Sequence, residues 1–241
     1  EAHALLVGMV RKELLRPGRA TLVGEDAFRV RHSLITDAAY GAIPKRSRAA
    51  LHEQFADLLE ARLGERVPEV QEILGHHLER AFRFHEELGQ PDERGLARRA
   101  AAHLAAAGSR ALARGDAAAA SLLLDRAVAL APDARERTAW VPLLAWALQE
   151  TGRTGEALRL IADTANAISE TEDELGWHRV RAERLLFELD YGSPPPQDEG
   201  LAVARAAAVA AEAAHDEAAL ARALTVTGRL HAAVAPVDLV A

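Results

Sequence analysis

The sequence predicts an all-α protein, a helical solenoid preceded by a short β-hairpin, and three observations carry that prediction. Alanine fills 54 of the 241 positions and aromatic residues only 4%, so a core has to come from closely approaching helices rather than from large rings. A helix, a tight glycine turn and a second helix recur at an offset of 37 residues. The apolar pattern changes once, at Phe28-Arg-Val-Arg-His-Ser-Leu-Ile-Thr-Asp-Ala-Ala-Tyr40, from every second residue to helical spacing.

Composition narrows the class further. With 49% apolar and 27% charged residues the chain reads as an ordinary folded protein. The absence of cysteine excludes disulfides, cysteine-ligated zinc and thiol catalysis. No apolar run approaches the roughly 18 residues of a membrane span. The opening Glu1-Ala-His-Ala lacks the basic start of a secretory leader, which points to the cytoplasm. Residues 1–48 carry nine Lys or Arg against five Asp or Glu, whereas the whole chain has a net charge of −7. The start without methionine and the end inside an apolar pattern predict a piece of a longer polypeptide.

Taken in order, Leu5, Leu6, Met9, Val10 and Leu14 predict an amphipathic helix over residues 4–16 that stops before Pro17. Thr21-Leu-Val23 and Phe28-Arg-Val30 around Gly24-Glu-Asp26 predict a β-hairpin. A helix follows from Ser33 to Ile43, stopped by Pro44. Another runs from Ser47 to Leu63, with Ser47 as its cap, Gly64 as its end and Leu51, Phe55, Leu58, Leu59 and Leu63 as its buried stripe. Pro68 opens a further helix, with Val70, Ile73, Leu74, His77, Leu78, Ala81 and Phe82 inward and Gly89 at its end.

From residue 101 the repeat takes over. Leu104, Gly108, Ala111, Gly115, Ala120, Leu124 and Ala127 stand 37 residues before Val141, Ala145, Leu148, Gly152, Ala157, Ile161 and Thr164. Small residues at Gly108, Ala120, Ala127, Ala145 and Ala157 let paired helices cross closely, and Leu104, Leu124 and Ile161 fill the grooves between them. A third pair is predicted over Glu174–Leu189 and Glu199–His215, with a fourth unit from Asp216. Counted from Ala101, the small residues Gly108, Ala120 and Ala127 and then Pro132 resemble the tetratricopeptide repeat. Leu104 and Ala111 depart from it, standing where Trp and Tyr are usual. The second block departs at Thr164 and Ser169.

A helix followed by a hairpin resembles the end of a winged helix. With Val10-Arg-Lys-Glu-Leu-Leu-Arg-Pro17, Ala27 to Tyr40, Leu51-His-Glu-Gln-Phe-Ala56, Gly75-His-His-Leu-Glu-Arg-Ala81 and Ala107 to Asp116, the chain resembles the C-terminal part of bacterial STAND-type signalling ATPases over about residues 5–170. It is most similar to members carrying an adenylate or guanylate cyclase domain, and next to LuxR-type regulators. The resemblance implies three parts: the end of a winged helix (1–44), linking helices (45–98) and tetratricopeptide-like repeats (99–241). It implies a non-catalytic sensor or scaffold that couples a protein partner or small ligand on its concave face to an upstream ATP-binding module or, as in the cyclase-bearing members, to a cyclase module. A homo-oligomer fits such a scaffold. No phosphate-binding glycine loop occurs in these residues, so no cofactor or metal is assigned to the segment and ATP is expected only upstream.

Candidate site residues have competing readings. Arg29, Arg31, His32, Asp37 and Tyr40 form either a coupling cluster to a neighbouring module or a pin between hairpin and helix. His76 and His77, adjacent on a helix, point about 100° apart and do not reach one metal together. His77 reads as a boundary residue and His76 as partly exposed. Arg11, Lys12, Arg16, Arg19, Arg29, Arg31, Lys45, Arg46 and Arg48 offer a basic surface, for docking or for the alternative of a DNA-contacting transcription regulator. Trp140, Trp146 and Trp177 belong either to core packing or to a ligand groove, with Trp140 and Trp146 on different sides of one helix.

Overall fold

The computed structural model describes residues 2–18, 27–192 and 194–232. They form helices α1 (Ala2–Arg11), α2 (Ser33–Ala42), α3 (Lys45–Leu63), α4 (Gln71–Glu87), α5 (Leu96–Ala113), α6 (Ala117–Leu130), α7 (Ala134–Glu150), α8 (Thr154–Ala167), α9 (Glu174–Tyr191), α10 (Gln197–Ala213) and α11 (Glu217–Ala232). A two-stranded antiparallel sheet of β1 (Leu15–Gly18) and β2 (Ala27–Val30) lies between α1 and α2. The architecture is all-α with this one small sheet.

The N-terminal piece departs from its sequence reading. Helix α1 ends at Arg11, well before Pro17, because Leu15 to Gly18 pair with Val30 to Ala27 instead. Pro17 is tolerated there because a two-stranded ladder leaves each strand an outer edge that needs no donor. The strand expected at Thr21–Val23 and the turn at Gly24–Asp26 lie outside the described residues. Phe28 and Val30 are partly covered while Arg29 and Arg31 face solvent, as alternation requires.

Helix α3 begins at Lys45, directly behind Pro44, whose φ of −57° already suits a helix start; Ser47 lies inside the first turn and caps nothing. Gly64, at φ 47°, closes it. Pro68 falls within a 3-10 segment, Gly64–Val70, and α4 begins only at Gln71. The stripe predicted for α3 is largely on the wrong side. Leu51, Phe55 and Leu58 stay 53%, 41% and 48% exposed, while Ala49, Ala56 and Leu59 are buried. Small alanines allow closer approach of α4 than large leucines would, and that contact decides which face turns inward. On α4, Leu74, Leu78, Ala81 and the unpredicted Phe84 are buried, whereas Ile73 is exposed.

The 37-residue repeat corresponds to buried positions. Leu104, Ala111, Ala120, Leu124 and Ala127 are buried, and so are Val141, Ala145, Leu148, Ala157, Ile161 and Thr164. Gly75 and Gly108 show why small residues recur: a Cβ on either would come 2.7 Å from the Cγ of Leu104 or Leu124. Each leucine thus sits on a glycine of the preceding helix. Thr164 keeps its hydroxyl satisfied by donating to the Leu160 carbonyl.

The turns repeat as closely as the helices. Gly115 and Gly152, both at φ 78°, donate to the carbonyls of Leu112 and Gln149, and the next amides reach back to Ala111 and Leu148. This paired bonding satisfies the last helical carbonyls and needs a left-handed residue, which glycine adopts without steric cost. His215 closes α10 in the same way at φ 55°.

Polar side chains tie α5 to α7, α7 to α9 and α9 to α11. Asp133 caps α7 through the Glu136 amide and accepts from Arg98 of α5. Asp173 caps α9 and accepts from Thr138 of α7, and Asp216 caps α11 and accepts from Arg179 of α9. Each aspartate does two jobs, stopping frayed amides and fixing the spacing of successive helix pairs. One apolar core runs from Ala56 to Phe187, and a second joins α9, α10 and α11 from Ala182 to Leu230.

Candidate functional site

The sequence-selected cluster divides on folding. Tyr40 alone turns inward. Its hydroxyl meets His52 Nε2 at 2.8 Å, and His52 Nδ1 meets His77 Nδ1 at 2.8 Å, joining α2, α3 and α4 in one line. Arg80 donates to the Tyr40 oxygen at 3.5 Å, and the direction of the two imidazole hydrogen bonds follows the His52 tautomer: with the proton on Nδ1, Tyr40 donates to His52 and His52 to His77. Arg48 stacks over the Tyr40 ring at 4.7 Å and donates to the carbonyls of Ile43 and Gly41. Those carbonyls lie at the end of α2, where a cation is favourable.

Burial, with the nearby charges of His77, Arg80 and His76, lowers His52 to about 4. His77 and His76 are also lowered, chiefly by desolvation. His77 is half-buried against Phe55 and His76 is exposed. His52 was missed in the sequence, because a histidine among polar neighbours carries no local mark of what it will face.

The other members of the cluster lie elsewhere. Arg31 pairs with Glu13 at 3.0 Å, His32 precedes α2 without a capping bond, and Arg29 and Asp37 face solvent. The basic surface divides as well. Arg48 is engaged as described, Lys45 pairs with Glu87, and Arg11, Lys12, Arg16 and Arg46 are exposed; Arg19 lies outside the described residues. Arg16 and Arg29 stand directly opposite each other in the β1–β2 ladder.

The more substantial site is a groove of roughly 430 Å³ between α7, α9 and α11. Its apolar wall comes from Trp140, Pro142, Leu143 and Trp146 of α7, with Ala218 and Ala219 opposite. Trp140 and Trp146, expected on different sides, both border it, while Trp177 lines a separate depression and stacks with Arg181. The polar wall is a set of ion pairs from α9 to α11: Arg179–Asp216 at 2.6 Å, Glu183–Arg222 at 2.5 and 2.7 Å, and, beyond the groove, Asp190–Arg229.

Glu183 is fully buried and receives both arms of the Arg222 fork, whose guanidinium lies 5.7 Å from the Trp146 ring. The Ala219 amide at the start of α11, together with Arg179, holds Asp216 below the usual carboxylate range. Glu183 in turn raises Arg222. Ser109, also on the rim, spends its hydroxyl on the Ala105 carbonyl. Every charge in the groove has its counter-charge, so the surface presents a neutral aromatic cleft with rigid walls. The arrangement can hold an extended chain or a flat ligand by burial and stacking.

These paired charges also went unread in the sequence. Opposite charges recurring 37 to 39 residues apart, at 179 and 216, 183 and 222, and 190 and 229, were the available signal. Among the described residues no group of three or more His, Asp or Glu is placed to hold a metal ion, and no helix is long and apolar enough to cross a membrane. Comparison with known protein families, with curated proteins and with solved structures finds no match in any of the three.

Proposed function

We propose that this chain is a tetratricopeptide-like helical solenoid, following the end of a winged helix, that binds a segment of a partner protein in the groove between α7, α9 and α11. In this reading it is the cytoplasmic, non-catalytic sensing arm of a bacterial STAND-type signalling ATPase. The Tyr40–His52–His77 line is the route by which occupancy reaches an upstream nucleotide-binding module. The observation that carries the binding half is the aromatic groove held open by the Arg179–Asp216 and Glu183–Arg222 pairs. The family half rests on the resemblance of the quoted motifs alone.

Peptides selected against the chain from a displayed random library test the binding half. Binders are expected to change tryptophan emission and to lose about tenfold or more in affinity on Trp146→Ala or Arg222→Ala. Equal binding by those variants overturns the groove. For the coupling half, nucleotide turnover of the intact protein should change on Tyr40→Phe and on deletion of residues 101–241; unchanged turnover and oligomeric state overturn it.

One observation favours a second reading. Like charges directly opposite on a hairpin destabilise it, and the Arg16–Arg29 pairing would be relieved by a phosphate backbone. Duplex DNA binding that weakens steeply with salt and on Arg29→Ala or Arg31→Ala would replace docking with DNA contact.

A further inference from the structure

We propose that the depression between the end of α8, α9 and Pro195 is a binding site for a small monocarboxylic acid with a flat apolar body. Trp177, Arg181, Arg184 and Glu188 stand at i, i+4, i+7 and i+11 of α9, one stripe along the helix, and all four line it. Asn166 of α8 and Pro195 of the α9–α10 connection complete the hollow, which measures about 360 Å³ and falls within the size range of small-molecule sites.

Arg181 sets the sign of the ligand. Its guanidinium lies over the Trp177 ring at 4.2 Å. Stacking of this kind engages the face of a guanidinium and leaves its in-plane N–H groups to donate. The side chain is partly buried, yet among the described residues those groups meet no hydrogen-bond acceptor and no carboxylate. A fork held flat with its donors unspent is matched by the two coplanar oxygens of a carboxylate.

The neighbouring charges set the magnitude. Arg184 donates through Nε to Glu188 Oε1 at 2.7 Å, so these two charges offset each other and Arg181 leaves the lining with one net positive charge. One carboxylate balances it. A phosphate monoester would bring nearly a second negative charge beside Glu188. The apolar share of the lining comes from Trp177, Leu185 and Pro195, which suit a flat hydrocarbon body next to the charged head.

No residue of this depression lines the α7–α11 groove, so the two sites stand or fail independently. The test titrates 2-naphthoate, 2-naphthamide and 2-naphthyl phosphate into the full chain by calorimetry. Naphthoate is expected to bind about tenfold tighter than either of the others. Arg181→Gln should cost naphthoate about tenfold or more in affinity at unchanged helicity. Glu188→Gln removes the one negative charge of the lining and should tighten naphthoate about threefold, a gain that a merely structural role would not produce. It serves alone if the Arg181 variant fails to fold. Equal binding of acid and amide, binding retained by Arg181→Gln, unchanged affinity in Glu188→Gln, or no binding at all overturns the proposal. Tighter binding of naphthyl phosphate overturns it in favour of a phosphate ligand. A peptide that displaces naphthoate through its free C-terminus, and fails once amidated, overturns it in favour of a chain end.

Discussion

The N-terminal piece and the helical array behind it use the same chemical vocabulary and reach opposite results. From α1 through α2 no described residue is fully buried, and Leu34 is 79% exposed although it sits on a helix with an apolar face. From Ala49 onward each helix contributes fully buried side chains. Amphipathic spacing makes a helix possible; a neighbour of matching shape makes it a core. The array has such neighbours built in, leucine against glycine at Leu104 and Leu124 and capping aspartates tied to Arg98, Thr138 and Arg179. The N-terminal helices lack them.

The comparison can be sharpened by substitution. Leu124→Ala opens a cavity over Gly108 and is expected to cost about 2–5 kcal/mol in urea unfolding, the largest single effect. Glu183→Ala leaves the Arg222 guanidinium without its buried partner and should cost about 3 kcal/mol; a loss below about 1 kcal/mol would show that the α9–α11 link is ornamental to stability.

Acid should act next, at the seam between the regions. Folded His52 holds its proton only below about 4, while an unfolded histidine takes one below its ordinary 6.5. The unfolded state therefore binds more protons in that window, so stability falls as pH drops from 6.5 towards 4 and is flat above it. His76 and His77, both lowered, add in the same direction. Urea midpoints at successive pH values check this, and His52→Gln should flatten the slope. The smallest effect is expected in the N-terminal piece, where Leu34→Ser should stay within about 0.5 kcal/mol. A cost as large as that of Leu124→Ala would break the comparison.

How much was legible follows the same division. Within the array, period and glycine spacing were enough, because each helix meets its sequence neighbour and local pattern coincides with tertiary contact. At α3 they misled: Leu51, Phe55 and Leu58 form the stronger apolar stripe, yet α4 settled on Ala49, Ala56 and Leu59. At the candidate sites, spacing brought out Tyr40, His77 and the tryptophans, since each stands out by type. Their partners His52, Glu183 and Arg222 were invisible, because a charged or polar residue on a helix looks solvated until another helix covers it.

What the sequence by itself determined is the all-α character, the succession of helix pairs and the residues that pack between them. Alanine content, 3.6-residue spacing and left-handed glycines act within a few residues, where the chain cannot choose otherwise. Only tertiary structure decided which face of α3 turned inward, that Glu183 would be a buried ion-pair partner, and that three imidazoles would gather at α3 and α4. Those outcomes depend on helix-to-helix distance, and alanine, by permitting the closest approach, overruled the larger apolar side chains.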